Sequence, residues 1–349
     1  MPRLFINWGV VLLLWNTAAA TVAVAGQDAT ALPAKLSETG LYEPGTLNVA
    51  RDKLSYTPQY PLWSDGAIKK RWLYLPPGTS IDATLPDAWQ FPPGTRLWKQ
   101  FGYAAPVETR LIERLDDGSW RYAAYVWNED GTDAVLAPES GYRRYPALAA
   151  PGGYYTIPSR DDCRACHEGG PVPVLGITAL QLSPLRDRLA PNAERKTFYD
   201  VDLADLVGRG LVKNLPDDLR RKPPQIVATS PVERAALGYL HANCGHCHND
   251  SGSLADLDFV LAQRPRSNAN DMRNLYRSLI DVPSDFHLYG ATQRVAPGDP
   301  SMSVLALRMR SRNPLAQMPP LGTRTVDTNA LVLVERWIEE LTVSKENDQ

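Results

Sequence analysis

Short runs of apolar and aromatic residues, each closed by turn residues, follow one another through the first half of the chain. These runs are residues 68–75, 96–103, 109–115 and 119–127. Runs of this length between turns rich in Gly, Pro and Asp are typical of β-strands, and Asp116-Asp117-Gly118 between the last two predicts a hairpin. We therefore predict an antiparallel β-module over residues 41–158, arranged as a small sandwich.

The second half of the chain shows helical spacing instead. Ser230 precedes Pro231 and lies three residues before Glu233, which is a signature of a helix start. The apolar face of this helix contains Val232, Ala236 and Leu240, and that of a second helix, capped by Asp327 or Thr328, contains Ala330, Leu333, Val334, Trp337 and Leu341. Residues 228–345 are therefore predicted to be all-α. Residues 159–227 lack a clear period, so we expect an irregular segment there and an α+β fold overall.

The N-terminal segment differs from the rest of the chain. Arg3 precedes the short apolar run Val10–Trp15, and small residues ending in Ala23-Val24-Ala25 follow. This order is typical of a secretory signal that is cleaved after residue 25, so we expect an exported, periplasmic protein. No later stretch is apolar enough to cross a membrane after signal cleavage. The net charge of −2 offers no strong attraction to nucleic acid.

All four cysteines of the chain occur in two copies of one pattern. The copies are Cys163-Arg164-Ala165-Cys166-His167 and Cys244-Gly245-His246-Cys247-His248. C-x-x-C-H is the attachment signature of haem c, because two thiols one helical turn apart reach the vinyl groups on one haem edge. The residue that follows offers an imidazole to the iron. We therefore predict two covalent haems, with His167 and His248 as proximal ligands.

Three other uses of the cysteines are less consistent with the pattern. A four-cysteine zinc site normally has its halves about 15–20 residues apart, whereas these halves end at Cys166 and begin again at Cys244. A thioredoxin-like site would need a βαβ setting, which neither copy has. Two disulfides are compatible with export but leave the histidine after each pair unexplained, and the chain has only five histidines.

The second axial ligand decides what each haem can do. Met318 is followed by two prolines and lies shortly before the last helix, as expected for a loop that presents a thioether to the second haem. No methionine lies between the two motifs, so the first haem has no obvious partner. His241, His287, a distant methionine and no ligand at all remain alternatives for its sixth position. His246 is expected to face solvent.

Six segments in the two halves carry a resemblance to a known family. They are Tyr60–Gly66, Pro92–Thr95, Tyr125–Glu129, Tyr239–Cys244, Pro297–Pro300 and Met318–Gly322. Together they resemble a family of exported bacterial c-type cytochromes with two haems, over residues 41–342. The C-terminal part is similar to the wider cytochrome c group, which implies Cys244 and Cys247 as attachment points and His248 and Met318 as ligands. The resemblance implies redox function and names no substrate.

The number of axial ligands on each iron distinguishes between the possible functions of the chain. Two filled irons would make a periplasmic electron carrier between redox partner proteins, which is the function we expect. One open iron at the first motif would favour a dihaem peroxidase or oxidase fed by the second haem. A third alternative is a carbohydrate-binding β-module joined to a cytochrome, because the module is rich in tryptophan. An exposed row of aromatic residues would favour this third reading, whereas we expect the tryptophans to pack in the core.

Overall fold

The structure is a computed structural model that describes residues 31–265 and 269–341. The residues from Pro33 onward belong to one compact unit. The predicted signal segment, residues 1–25, lies outside the described residues. The domain boundaries predicted after residues 158 and 227 stay predictions.

The described residues contain twelve strands and seven α-helices. The strands are β1 (Leu54–Ser55), β2 (Ile68–Tyr74), β3 (Ile81–Asp82), β4 (Arg96–Gly102), β5 (Pro106–Arg114), β6 (Trp120–Trp127), β7 (Ala134–Leu136), β8 (Tyr142–Pro146), β9 (Tyr154–Ile157), β10 (Val212–Lys213), β11 (Pro283–Leu288) and β12 (Ala291–Gln293). The helices are α1 (Arg160–His167), α2 (Leu203–Gly208), α3 (Asp217–Arg221), α4 (Pro231–Asn243), α5 (Ala269–Leu279), α6 (Val304–Arg310) and α7 (Thr328–Glu340).

Six strands form one antiparallel sheet in the order β1-β2-β4-β5-β6-β7. The predicted hairpin between β5 and β6 is confirmed: Gly118 has a φ of 84°, and its N–H donates to the Leu115 carbonyl at 3.0 Å. Glycine adopts this conformation without a steric cost, so the turn is specified locally. The predicted sandwich is wrong, because this part of the described chain has one large sheet with only two-stranded ribbons beside it.

Both faces of the large sheet are covered. On one face the Trp98 indole donates to the Thr39 hydroxyl, and the Tyr125 hydroxyl donates to the Pro33 carbonyl, each at 3.0 Å. The N-terminal stretch of the described chain therefore covers that face. Residues on the opposite face alternate with these along each strand. Helix α1, which contains the first C-x-x-C-H motif, contacts β6 of the sheet.

Residues 159–227 lie against this same sheet module. Strand β10 pairs in parallel with β3, with Val212 opposite Ile81. Apolar side chains from both stretches form one buried cluster that includes Leu73, Ile81, Trp89, Phe91, Leu97, Val174, Ile177, Leu203, Leu206, Val212 and Leu219. The first motif is therefore held by a segment whose core is shared with the sheet.

The C-terminal helices pack around a second apolar cluster. Ser230 caps α4 by accepting the Glu233 N–H at 3.1 Å, and the Glu233 carboxylate accepts the Thr229 hydroxyl at 2.7 Å. Members of the cluster include Tyr60, Leu180, Val232, Ala236, Leu240, Leu279, Val334, Trp337 and Ile338. Because Tyr60 and Leu180 come from earlier in the chain, this cluster joins the C-terminal helices to the rest of the protein.

The predicted fold class is wrong for the C-terminal part, which is not all-α. A β-hairpin, β11 with β12, lies between α5 and α6. Along β11, half-buried and exposed residues alternate, and Phe286 and Leu288 pack against the buried Val304 and Leu307. This alternation is typical of a strand, in a region predicted to be all-α.

Candidate functional site

A cavity of about 730 Å³ is lined by residues of the sheet and of the C-terminal helices and loops. Its volume lies within the range of ligand pockets, about 300–1,000 Å³. Both C-x-x-C-H motifs and the predicted thioether border this cavity. These lining residues are Cys163, Cys166, His167, Cys244, Cys247, His248 and Met318. The fold therefore brings together predicted site residues from three distant parts of the chain.

The first motif is placed by a capped helix. The Ser159 hydroxyl accepts the Asp162 N–H at 3.0 Å, and the Asp162 carboxylate accepts the Ser159 N–H at 2.9 Å. Helix α1 then ends at His167, whose Nδ1 lies 2.6 Å from the Pro173 carbonyl. A donating Nδ1–H leaves Nε2 as the free ring nitrogen. Burial lowers the pKa of His167 to about 4, so the ring is neutral at pH 7.

The second motif follows the end of α4 rather than lying within a helix. Helix α4 ends at Asn243, and the Cys244 carbonyl accepts N–H groups from Cys247 at 3.0 Å and His248 at 2.8 Å. These bonds close one tight turn that carries both thiols. The His248 ring lies 4.8 Å from the Phe259 ring. Burial lowers the pKa of His248 to about 4, which keeps this imidazole neutral as well.

The four cysteines are free thiols in partly buried positions. Burial raises the pKa of Cys166 to about 11 and that of Cys244 to about 12, and the pKa values of Cys163 and Cys247 are also raised by burial. A reactive or metal-binding thiolate needs a lowered pKa. The environment therefore does not favour a redox dithiol, and the sulfurs are not joined as disulfides.

The two motifs touch each other. The Asn249 side-chain amide donates to the Gly169 carbonyl at 2.8 Å and also lies within hydrogen-bonding distance of the Gly245 and His246 carbonyls, at 3.1 and 3.2 Å. A Cβ on Gly252 would lie 2.1 Å from the Gly169 oxygen, so only glycine permits this close approach. Asn249 therefore ties the residues after the first motif to those of the second.

The loop that carries Met318 is held from two sides. The Met318 N–H donates to the Arg308 carbonyl at 3.0 Å. Further along, the Asp65 carboxylate accepts N–H groups from Arg324 at 2.8 Å and Thr325 at 2.9 Å. Asp65 itself has a φ of 52°, a left-handed conformation that Asp tolerates better than most residues. Sequence reasoning missed this contact.

The segment Tyr60–Gly66, called the 60–66 segment below, connects the sheet with the second motif. The Trp63 N–H donates to Asn243 Oδ1 at 2.7 Å, and its indole donates to the Thr325 carbonyl at 3.1 Å. A Cβ on Gly238 would lie 2.1 Å from the Tyr60 ring, so helix α4 needs glycine where the segment crosses it. The segment was noted in the sequence for its resemblance, but nothing there indicated its partners.

The remaining ligand candidates lie in different places. His241 does not line the cavity, and its Nδ1 accepts the Gln263 N–H at 3.0 Å. His287 is exposed on β11 and does not line it either. His246, expected to face solvent, lines the cavity, and its Nδ1 is buried. Met309 also lines the cavity, and sequence reasoning missed both side chains as cavity residues.

The imidazole, thiol and thioether groups around the cavity fit haem c better than a metal ion bound by protein side chains alone. Among the residues that the structure describes, no group of three or more His, Cys, Asp or Glu side chains is arranged to hold a metal ion. A structural zinc site needs four protein ligands, whereas haem iron takes one or two from the chain. Two neutral imidazoles, four free thiols and one thioether around a cavity meet that requirement.

The tryptophans of the β-module lie mainly in the core. Trp89 and Trp98 are almost completely buried, and Trp72 and Trp127 are also buried. The Trp127 indole donates to the Thr109 hydroxyl at 3.0 Å, as is usual for a buried indole. These four side chains form no exposed row.

Comparison with known proteins identifies no relative. No protein-family model, curated protein or solved structure matches the chain. In the part of the chain that the structure describes, no helix has the length and apolar character needed to span a membrane.

Proposed function

We propose that this chain is a dihaem c-type cytochrome that carries electrons between redox partners in the periplasm. The observation that supports the proposal most strongly is that both C-x-x-C-H motifs border one cavity and are in contact through Asn249. Haem c supplies one-electron chemistry when bound, and the chain supplies attachment, axial ligands and burial.

Each residue of the motifs then has a defined role. Cys163 and Cys166 would form the thioether bonds of the first haem, and Cys244 and Cys247 those of the second. His167 is oriented by the Pro173 carbonyl, which fixes the ring nitrogen available to iron. The partly buried His248 offers its imidazole at the second site.

Met318 distinguishes the second site from the first. Its thioether lines the cavity, and Asp65 and Trp63 hold the loop that follows it. Thioether ligation raises the reduction potential of a haem relative to a second imidazole. The second haem is therefore the one for which this chain offers the higher potential.

Export belongs to the same proposal. Haem c is attached outside the bacterial cytoplasm, and residues 1–25 have the pattern of a secretory signal. Fractionation of cells that express the full chain tests this point: the haem-stained protein should appear in the periplasmic fraction and begin near Gly26.

The decisive experiment counts and classifies the haems. The chain, matured in the periplasm, should contain two covalent haems, and carbon monoxide should leave the reduced spectrum unchanged if both irons have two axial ligands. The double variant C163S/C166S should retain one haem, and C244S/C247S should retain the other. As a matched control, Met302→Leu at an exposed thioether should retain both haems with an unchanged spectrum. A wild-type chain without covalent haem would refute the proposal.

A dihaem peroxidase or oxidase is the second candidate. It is favoured by one observation: neither His241 nor His287, the histidines considered for the first haem, lines the cavity. If carbon monoxide shifts about half of the haem absorption in the wild type and none in C163S/C166S, the first iron is open and this candidate replaces the electron carrier.

A further inference from the structure

The sheet face beside the first motif carries a row of basic side chains. Arg71 on β2 is paired with Lys99 on β4, and Lys99 is paired with Arg110 on β5. Directly paired residues project from the same face with Cβ atoms about 5 Å apart, so like charges in such a row destabilise the sheet. All three side chains line the cavity that contains Cys163 and His167.

Two members of this row have carboxylate partners. The fully buried Glu108 accepts two hydrogen bonds from Arg110, at 2.8 and 2.9 Å. Glu194 accepts two from Arg71, at 2.5 and 3.0 Å, and lies 3.3 Å from the Lys69 ammonium. Each arginine is therefore neutralised by a bidentate pair, the strongest form of this interaction.

Lys99 has no such partner. Among the described residues it has no hydrogen bond and no ion pair, and its ammonium lies 4.9 Å from the Phe101 ring centroid. Its side chain is only partly exposed, and it lines the cavity. Burial and the neighbouring Arg71, Lys69 and Arg110 lower the pKa of Lys99 well below its ordinary value. An anion in the cavity would compensate the positive charge of Lys99 among these basic neighbours.

The charges on this face do not balance. Four basic groups, Lys69, Arg71, Lys99 and Arg110, meet two carboxylates, Glu108 and Glu194, which leaves two positive charges when Lys99 is protonated.

We infer that Lys99, supported by Arg71, binds a propionate carboxylate of the first haem. The inference rests on the proposed function. The two propionates of a haem leave the macrocycle on the edge opposite the thioether bonds and carry two negative charges. Arg110 lies near Cys163 and is already paired with Glu108. The unpaired charge lies one strand further across the sheet, at Lys99 in the middle of the row.

Lys99 therefore sets the charge next to the first haem. A cation beside a propionate offsets negative charge near the iron and favours the reduced state. Replacement of Lys99 by glutamine should lower the reduction potential of one haem and leave the other unchanged. We expect a change of roughly tenfold in the reduction equilibrium of that haem, which is about 59 mV for one electron.

The test is a redox titration of the matured, full-length chain followed by haem absorption. Lys99→Gln is compared with Lys70→Gln, which makes the same charge change at an exposed position on β2 of the same sheet. The expected result is a shift of one of the two couples in the first variant and of neither in the second. Equal shifts in both variants, or no shift in Lys99→Gln, would overturn the inference.

Two further measurements keep the outcome unambiguous. If Lys99→Gln allows carbon monoxide to bind one reduced haem, Lys99 is an iron ligand and the propionate assignment is wrong. Lys99→Arg keeps the charge and should keep the wild-type potential even if the glutamine variant loses the first haem, so a lowered potential in the arginine variant overturns the inference. A wild type with two haems and an unaffected Lys99→Gln refutes this inference alone, whereas a wild type without haem refutes the proposed function.

Discussion

The two C-x-x-C-H motifs share one five-residue pattern but have different surroundings. The first ends a capped helix and faces a sheet surface crossed by buried ion pairs, with Glu108 and Arg110 beside Cys163. The second closes a turn after α4, where Cys244 packs against the apolar cluster of the C-terminal helices. The comparison teaches that the residues of the proposed attachment sites are local in sequence, while the electrostatic setting of each site comes from segments far away in the sequence.

Because of this difference, we predict that different kinds of substitution disrupt the two sites. Changes in buried charge should damage the first site, and changes in the loop contacts should damage the second. Variants at Glu108 and Asp65 test the two sites in turn, and a variant at His241 tests how stability depends on pH. Their expected effects decrease in that order.

Glu108→Gln should have the largest effect. The substitution keeps the shape of the side chain but leaves the Arg110 guanidinium without its carboxylate partner on a buried sheet face. We expect a loss of about 3 kcal/mol in the free energy of unfolding, measured by urea denaturation, because an uncompensated buried charge is costly. The first haem should be lost or perturbed before the second.

Its matched control is Glu139→Gln in the same region. Glu139 pairs with Arg160, and both side chains are substantially exposed. Exposed pairs contribute at most about 1 kcal/mol, so this variant should unfold close to the wild-type midpoint. Similar losses in both variants would show that burial of the Glu108 pair is not what supports the first site.

Asp65→Ala should act on the second site. It removes the acceptor of the Arg324 and Thr325 N–H groups and places alanine at a positive φ. We expect a loss of about 2 kcal/mol in the free energy of unfolding. Weaker ligation by Met318 should make the reduced second haem sensitive to carbon monoxide.

Asp65→Asn is the control for this prediction. Asparagine tolerates the left-handed conformation, and its side-chain carbonyl can still accept both N–H groups. The spectrum should stay close to that of the wild type. If the alanine variant binds no carbon monoxide although the loop contacts are lost, Met318 ligation does not depend on Asp65.

The smallest effect concerns pH. Burial lowers the pKa of His241 to about 4 in the folded chain, below the ordinary histidine value of 6.5. The neutral ring is therefore the form that folding favours, since its Nδ1 accepts the Gln263 N–H. Its contribution is complete above pH 6.5, decreases as the pH falls toward 4 and is then lost, with a slope of at most about 1.4 kcal/mol per pH unit.

His241→Gln isolates that contribution. Urea unfolding of the variant and the wild type should be compared from neutral pH down to about pH 4. The difference between their unfolding free energies should change with pH only below 6.5, in favour of the variant as the pH falls. Parallel curves over the whole range would show that His241 is not protonated on unfolding.

Local features of the fold were predictable from the sequence. The hairpin at Gly118 and the starts of α1, α4 and α7 follow from turn and capping residues that act over a few positions. The β11–β12 hairpin was missed because its strands are short and the Tyr289-Gly290 turn is not among the strong hairpin signals. The all-α prediction failed for that reason.

The candidate site was predictable only in its residue types. The two motifs and Met318 stand out in the sequence because their spacing is typical of haem c attachment and ligation. Their contact through Asn249, the position of His246 and the row around Lys99 depend on packing between remote segments. Short-range sequence patterns do not reveal such contacts. Sequence reasoning therefore left His241 and His287 as candidates for the sixth ligand of the first haem, although neither lines the cavity.

The Asp65 contact also affects the timing of assembly. Its partners Arg324 and Thr325 follow it by 259 and 260 positions. These hydrogen bonds to the loop beside Met318 therefore cannot form until nearly the whole chain has been made. At about 5–20 residues per second, synthesis of that stretch lasts roughly tens of seconds. The cavity wall that contains Asp65 is therefore joined to the wall that contains Arg324 only late in synthesis, after both C-x-x-C-H motifs have been made.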